Sequence, residues 1–105
     1  MNLRLALSGL LLAAVPAWAA DAAAGRQKAA ACTVCHGPLG VAVALDTPSL
    51  AGQPALYLAA QLRAYRSGTR KHEVMGVVAK PLPDADIDEL AAWYASLKIS
   101  VQAPP

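Results

Sequence analysis

Apolar positions recur with helical spacing in three stretches of the chain, and between them lie two long segments with no period. The clearest stretch runs from about Asp84 to Lys98. There Ile87, Leu90, Ala91, Tyr94 and Leu97 share one face, acids crowd the first turn and Lys98 stands in the last, the charge order that a helix dipole favours. A second helix is predicted from Pro54 to about Ser67, with Ala55, Leu58, Leu62 and Tyr65 on one face, Pro at its first turn and Gly68 as its stop. The earliest helix begins at a capping Asp21 and reaches about Cys35 through strong helix formers. Nearly all of its apolar positions are alanine, so it buries little area alone and has to lie close against another helix or a large flat partner. Gly25 suits such a close crossing.

No segment alternates apolar and polar residues with β-branched enrichment, so the predicted class is all-α, three main helices and long loops. The two aperiodic connections, Gly37 to Gln53 and Thr69 to Pro83, are rich in Gly, Pro and small residues. Connections of that length normally carry function, and three modest helices supply too little core to order them. A bound cofactor would resolve the difficulty.

The first 19 residues decide the compartment. A single cation, Arg4, precedes an apolar run from Leu5 to Val15 broken only by Ser8 and Gly9, and the run closes on Ala17-Trp18-Ala19. This is the order of a secretory signal peptide, with cleavage before Ala20 or one residue later. The rival, an uncleaved anchor, needs about 20 apolar residues, more than this run contains. Residues 20–105 are then the one domain, expected outside the cytoplasm and without stable membrane insertion once the signal is removed.

The whole chain of 105 residues is 56% hydrophobic and 15% charged, which excludes an ordinary disordered segment, and its net charge of +2 gives no ground for nucleic-acid binding. The charges are unevenly placed. Arg63, Arg66, Arg70 and Lys71 fall together, and Asp84, Asp86, Asp88 and Glu89 follow as an acidic group at the start of the last helix.

Cys32-Thr33-Val34-Cys35-His36 holds both cysteines of the chain and one of its two histidines. Two thiols three positions apart at a helix end can add to the two vinyl groups of one haem, leaving the next residue, His36, beneath the iron as an axial ligand. A thiol-disulfide centre is the rival reading, but it expects a strand before the first cysteine. Structural zinc would need four ligands, and only His72 remains to complete a set with three adjacent donors.

With these residues in place the chain resembles the small bacterial class I cytochromes c, in particular the periplasmic type whose domain is duplicated in dihaem members. The resemblance covers nearly all of residues 21–98. Besides the Cys32 to Gly37 motif, it is carried by Pro48-Ser49-Leu50-Ala51-Gly52-Gln53, Tyr57-Leu58 with Gln61-Leu62, Arg66-Ser67-Gly68-Thr69-Arg70, Met75, and Asp86-Ile87 through Leu90-Ala91. It implies one covalent haem c on Cys32 and Cys35, with His36 and Met75 as axial ligands of the iron. Met75 is the only methionine beyond the leader. The alternatives are Met75 as core filler with His72 as sixth ligand, or an open iron.

By the same resemblance the Pro48 carbonyl accepts from the Nδ1–H of His36, Leu50, Leu58, Leu62 and Leu97 are candidates to face the haem, and Gly25 lets Trp93 or Tyr94 cross the first helix. Arg66 or Arg70 is a candidate for a haem propionate, with a solvated cation as the other state. Pro83 stands where the family often has a capping Ser or Thr, so Asp84 is expected to take the cap.

Six ligands leave no position for substrate, so the expected chemistry is one-electron transfer at an exposed haem edge, with no catalytic set. The implied role is a periplasmic electron carrier between a dehydrogenase or quinol-oxidising complex and a terminal reductase or oxidase. The alternative is a dedicated haem subunit of a periplasmic dehydrogenase built on a flavin or molybdenum enzyme.

Overall fold

The computed structural model describes residues 20–105, so the signal-peptide expectation for residues 1–19 lies outside the described residues. Among the described residues there is no strand. Helix α1, Ala22–Lys28, passes through a 3₁₀ stretch, Ala29–Cys32, into the single turn α2, Thr33–His36. Then follow α3, Ala55–Ser67, α4, Glu73–Ala79, and α5, Asp84–Ser96.

The Asp21 carboxylate accepts from the N–H of Ala23 at 2.8 Å, so the predicted cap is in place. At the other end of the chain, α5 buries Ile87, Leu90, Ala91 and Tyr94, the face its periodicity defines. α3 departs slightly from its predicted face. Leu58 and Ala59 are its buried residues, Leu62 and Tyr65 are half-buried and Ala55 is exposed, because the stripe is turned toward α5.

Two expectations require correction. The connection from Thr69 to Pro83 is not all loop, since Glu73–Ala79 is helical; seven residues carry too little apolar period to be recognised. Asp84 does not cap α5. Pro83 occupies the N-cap position without a side-chain bond, and the Asp84 carboxylate turns instead to arginines of α3.

α1 crosses α5 at Gly25. A Cβ built there would lie 1.9 Å from the carbonyl oxygen of Glu89 and 2.9 Å from Cβ of Trp93, so the two backbones touch. Trp93 rather than Tyr94 is the aromatic at this crossing, and the Arg26 guanidinium lies over its ring, 5.3 Å from the centroid. Lys28 closes the same contact through ion pairs with Asp86 and Glu89. Together α1, α3 and α5 enclose Ala29, Leu58, Ala59, Ile87, Leu90, Ala91 and Tyr94. Leu50, Leu62 and Leu97 pack half-buried against this cluster. Few bulky side chains are buried, as the alanine-rich sequence requires.

Candidate functional site

The Cys-x-x-Cys-His segment is the end of the first helical run. Both cysteines are free thiols, Cys32 half-buried and Cys35 exposed. Burial pushes the Cys32 thiol above its ordinary pKa, and the Tyr94 hydroxyl beside it is raised for the same reason. A thiol so shifted is not the activated thiolate of a redox-exchange centre.

Among the described residues His36 is the one polar or charged residue that is buried, 8% exposed. Its Nδ1–H donates to the carbonyl of Pro48 at 2.9 Å. The loop after α2 is folded to bring that carbonyl to the ring. Gly40 is its hub: its carbonyl accepts from the N–H of Leu50 at 2.7 Å and of Ala51 at 3.0 Å. Gly40 has φ +74°, and a Cβ there would lie 2.8 Å from the Tyr94 ring, so only glycine lets the loop seat on α5. The Ser49 hydroxyl accepts from the N–H of Ala42 at 2.9 Å, and the Gln53 side chain donates to the Ser49 carbonyl at 2.7 Å. Pro48 therefore immediately precedes a segment held by these cross-ties.

Met75 is half-buried in the first turn of α4. His72 is the N-cap of that helix: its Nδ1 accepts from the N–H of Val74 at 3.2 Å and of Met75 at 3.3 Å. The sequence alone missed this role, because histidine is not among the usual capping residues.

The basic group is less uniform than its sequence suggests. Arg63 pairs with Asp88 at 2.8 Å and Asp84 at 3.4 Å. Arg66 pairs with Asp84 at 2.7 Å and donates to the Leu82 carbonyl at 2.9 Å. The Arg66 guanidinium is the larger cause holding the Asp84 carboxyl below its usual range. Arg70 folds back over the Tyr65 ring, 4.7 Å from its centroid, and donates to Gln61 at 2.7 Å. Among the described residues Lys71 and Lys80 have no ion-pair partner, and both line an open groove of about 660 Å³ between the end of α3 and α4.

The donor set fits a c-type haem on its chemistry. Two uncrosslinked thiols sit three positions apart, the adjacent imidazole has Nδ1 committed to a carbonyl and Nε2 left to bind metal, and the thioether of Met75 is a soft neutral donor. No group of three or more His, Cys, Asp or Glu residues suited to a bare metal ion occurs among the described residues.

Comparison with known proteins gives the same identification. Cytochrome c-554(548) of Halomonas halodenitrificans is 44% identical over 81 residues, a match spanning 74% of this chain and 98% of that protein. The thiosulfate dehydrogenase electron acceptor of Thiomonas intermedia is 45% identical over 91 residues, 84% of this chain and 42% of the relative. Reduced recombinant cytochrome c4 from Pseudomonas stutzeri superposes with a TM-score of 0.73 at 39% identity, over 79% of this chain and 48% of that one. The chain thus spans about half the length of the latter two. The profile of the family described as cytochrome c matches residues 22–98, covering every helix of the fold and each of the site residues above, and the chain belongs to the cytochrome c family.

Proposed function

We propose that residues 20–105 form a periplasmic one-electron carrier that holds a single haem c through thioethers to Cys32 and Cys35, with His36 and Met75 as axial ligands. The observation that carries this reading is the 2.9 Å bond from His36 to the Pro48 carbonyl. It fixes the tautomer and the angle of the ring and raises the donor strength of the nitrogen left free.

When bound, haem supplies a one-electron ferrous/ferric couple. The chain's own part is to hold that couple and set its potential. His36 contributes a nitrogen oriented by Pro48, and Met75 contributes a thioether, which favours the ferrous state relative to a second imidazole. With His36 and Met75 both holding the iron, no position would be left to a substrate, and electron transfer without bond chemistry is the activity that fits. Among the described residues no helix is long and apolar enough to cross a membrane.

The mature protein exported to a periplasm is expected to gain the mass of one haem, retained under denaturing conditions. Mass spectrometry reads this directly. A product without the increment, or with a Cys32–Cys35 disulfide, would overturn the reading.

A second reading, a dedicated haem subunit of a periplasmic dehydrogenase, is favoured by the surface next to the attachment motif. Residues 29–62 carry one formal charge, Asp46, and expose Leu39, Val41, Val43 and Leu45. The relatives described as thiosulfate dehydrogenase electron acceptors make an oxidising enzyme a suitable partner. Charge reversal separates the two readings. For a mobile carrier steered to an acidic partner, Lys71→Glu with Lys80→Glu is expected to slow association about tenfold at low salt and to flatten its dependence on ionic strength. Arg66 is unsuited to this test, because reversing it breaks the pair with Asp84. Stopped-flow electron transfer measures the rates, and rates insensitive to both the substitutions and salt would assign docking to the apolar surface and favour the subunit reading.

A further inference from the structure

α4 has seven residues, too few to persist as a helix without being fastened, and Met75 lies in its first turn. One residue does most of the fastening. The Nδ1 of His72 accepts from the N–H groups of Val74 and Met75, and the carbonyl of His72 accepts from the N–H of Gly76 at 2.9 Å. The three amides centred on Met75 are thereby held by a single neighbour. The backbone of His72 is extended, φ −157° and ψ 137°, as an N-cap requires.

A second contact ties this cap to the rest of the fold. The ring of Tyr65, on α3, meets the His72 ring edge-on, with centroids 6.4 Å apart and an interplanar angle of 76°. Tyr65 is itself covered by the Arg70 guanidinium. Asp, Asn, Ser and Thr cap helices at least as well as histidine, but they have no ring to lay against an aromatic neighbour. The imidazole thus does two things at once: it closes the Met75 turn and docks that turn on α3.

Resting on the assignment of Met75 as axial ligand, we propose that His72 is a positioning residue, whose capping imidazole holds the Met75 turn in place and thereby sets how readily the thioether leaves the iron. While Nδ1 accepts from the two amides, the neutral ring carries its proton on Nε2, so in this arrangement His72 offers the iron no free lone pair.

The test is titration of the ferric holoprotein with free imidazole, which competes with the thioether, followed by the loss of the sulfur-to-iron charge-transfer band. His72→Ala removes the cap and is expected to bind imidazole about fivefold more tightly than the unsubstituted protein. His72→Asn keeps an acceptor for the two amides and is expected to return to within about twofold. A role confined to general packing would not be rescued by so different a shape. Equal affinities for His72→Ala and the unsubstituted protein would overturn the proposal, as would a His72→Asn protein no better than His72→Ala. If the unsubstituted protein lacks the band altogether, the ligand assignment fails and the proposal with it, a result distinct from any pattern among the His72 variants.

Discussion

Met75→Ala is expected to leave the haem covalently attached while lowering its midpoint potential by on the order of a few hundred millivolts, part of the roughly 0.8 V that axial ligation spans. The two functions separate because they lie on different segments. In the proposed arrangement attachment belongs to Cys32 and Cys35, and the nitrogen ligand to His36, all on the run that ends with α2. Met75 comes from α4, beyond the whole of α3. Alanine is the best helix former, so the substitution removes the thioether while keeping the turn, and the amide at position 75 still donates to His72. Loss of the soft neutral donor withdraws its preference for ferrous iron and opens the sixth position. A redox titration with the spectrum of the oxidised protein checks both effects. Survival of the sulfur-to-iron band, or an unchanged potential, would remove Met75 from the ligand set.

Gly25→Ala is expected to destabilise the holoprotein by about 3 kcal/mol, at the upper end of ordinary overpacking costs. Two effects oppose each other at this position. Alanine gains about 1 kcal/mol over glycine as a helix residue. Against this, the added Cβ would lie 1.9 Å from the Glu89 carbonyl oxygen and 2.5 Å from its carbon, and both atoms belong to a helix backbone that cannot swing aside. α1 and α5 must separate, which also pulls apart the ion pairs of Lys28 with Asp86 and Glu89 and the stacking of Arg26 on Trp93. Exposed pairs of this kind are worth little each, so backbone contact dominates. Gly76→Ala is the matched control: it is also helical, a Cβ there meets nothing within 4 Å, and a small gain in stability is expected. Denaturant midpoints of the two variants provide the comparison. A Gly25→Ala protein as stable as the Gly76→Ala one would show that the helix crossing yields.

The parts of this arrangement that were legible in the sequence are those set by local rules. The face of α5, the Asp21 cap, the Gly68 stop and the close approach at Gly25 each follow from residue type and spacing within a few positions. The cysteine pair with His36 was legible because covalent chemistry restricts its spacing. What was not legible depends on partners distant in the chain. Asp84 looked like a cap because only its neighbours were in view, yet Arg63 and Arg66 on α3 claim its carboxylate. The pairing of Arg63 and Arg66 within the basic group escaped for the same reason. α4 escaped notice because it is held by a histidine cap and by packing on α3 rather than by its own periodicity. The Pro48 contact came from family resemblance, and the hydrogen bonds through Gly40 and Ser49 give it a physical basis that no spacing rule contains.

The cross-ties of the loop after α2 also divide it by tolerance to engineering. Gly37 to Ala42 and Pro48 to Gln53 are bound to one another or to α5, whereas between them the only backbone bond is the turn from Thr47 N–H to the Ala44 carbonyl, 3.2 Å long. Val43, Ala44 and Leu45 are solvent-facing, or nearly so, and their side chains carry none of the ties. An insertion of several residues between Ala44 and Leu45 would therefore lengthen a free tip while leaving Pro48 under the His36 ring. That tip lies in the same loop that supplies the Pro48 carbonyl to His36, so a surface-binding peptide grafted there would anchor the domain to an electrode by the segment beside the proposed haem site.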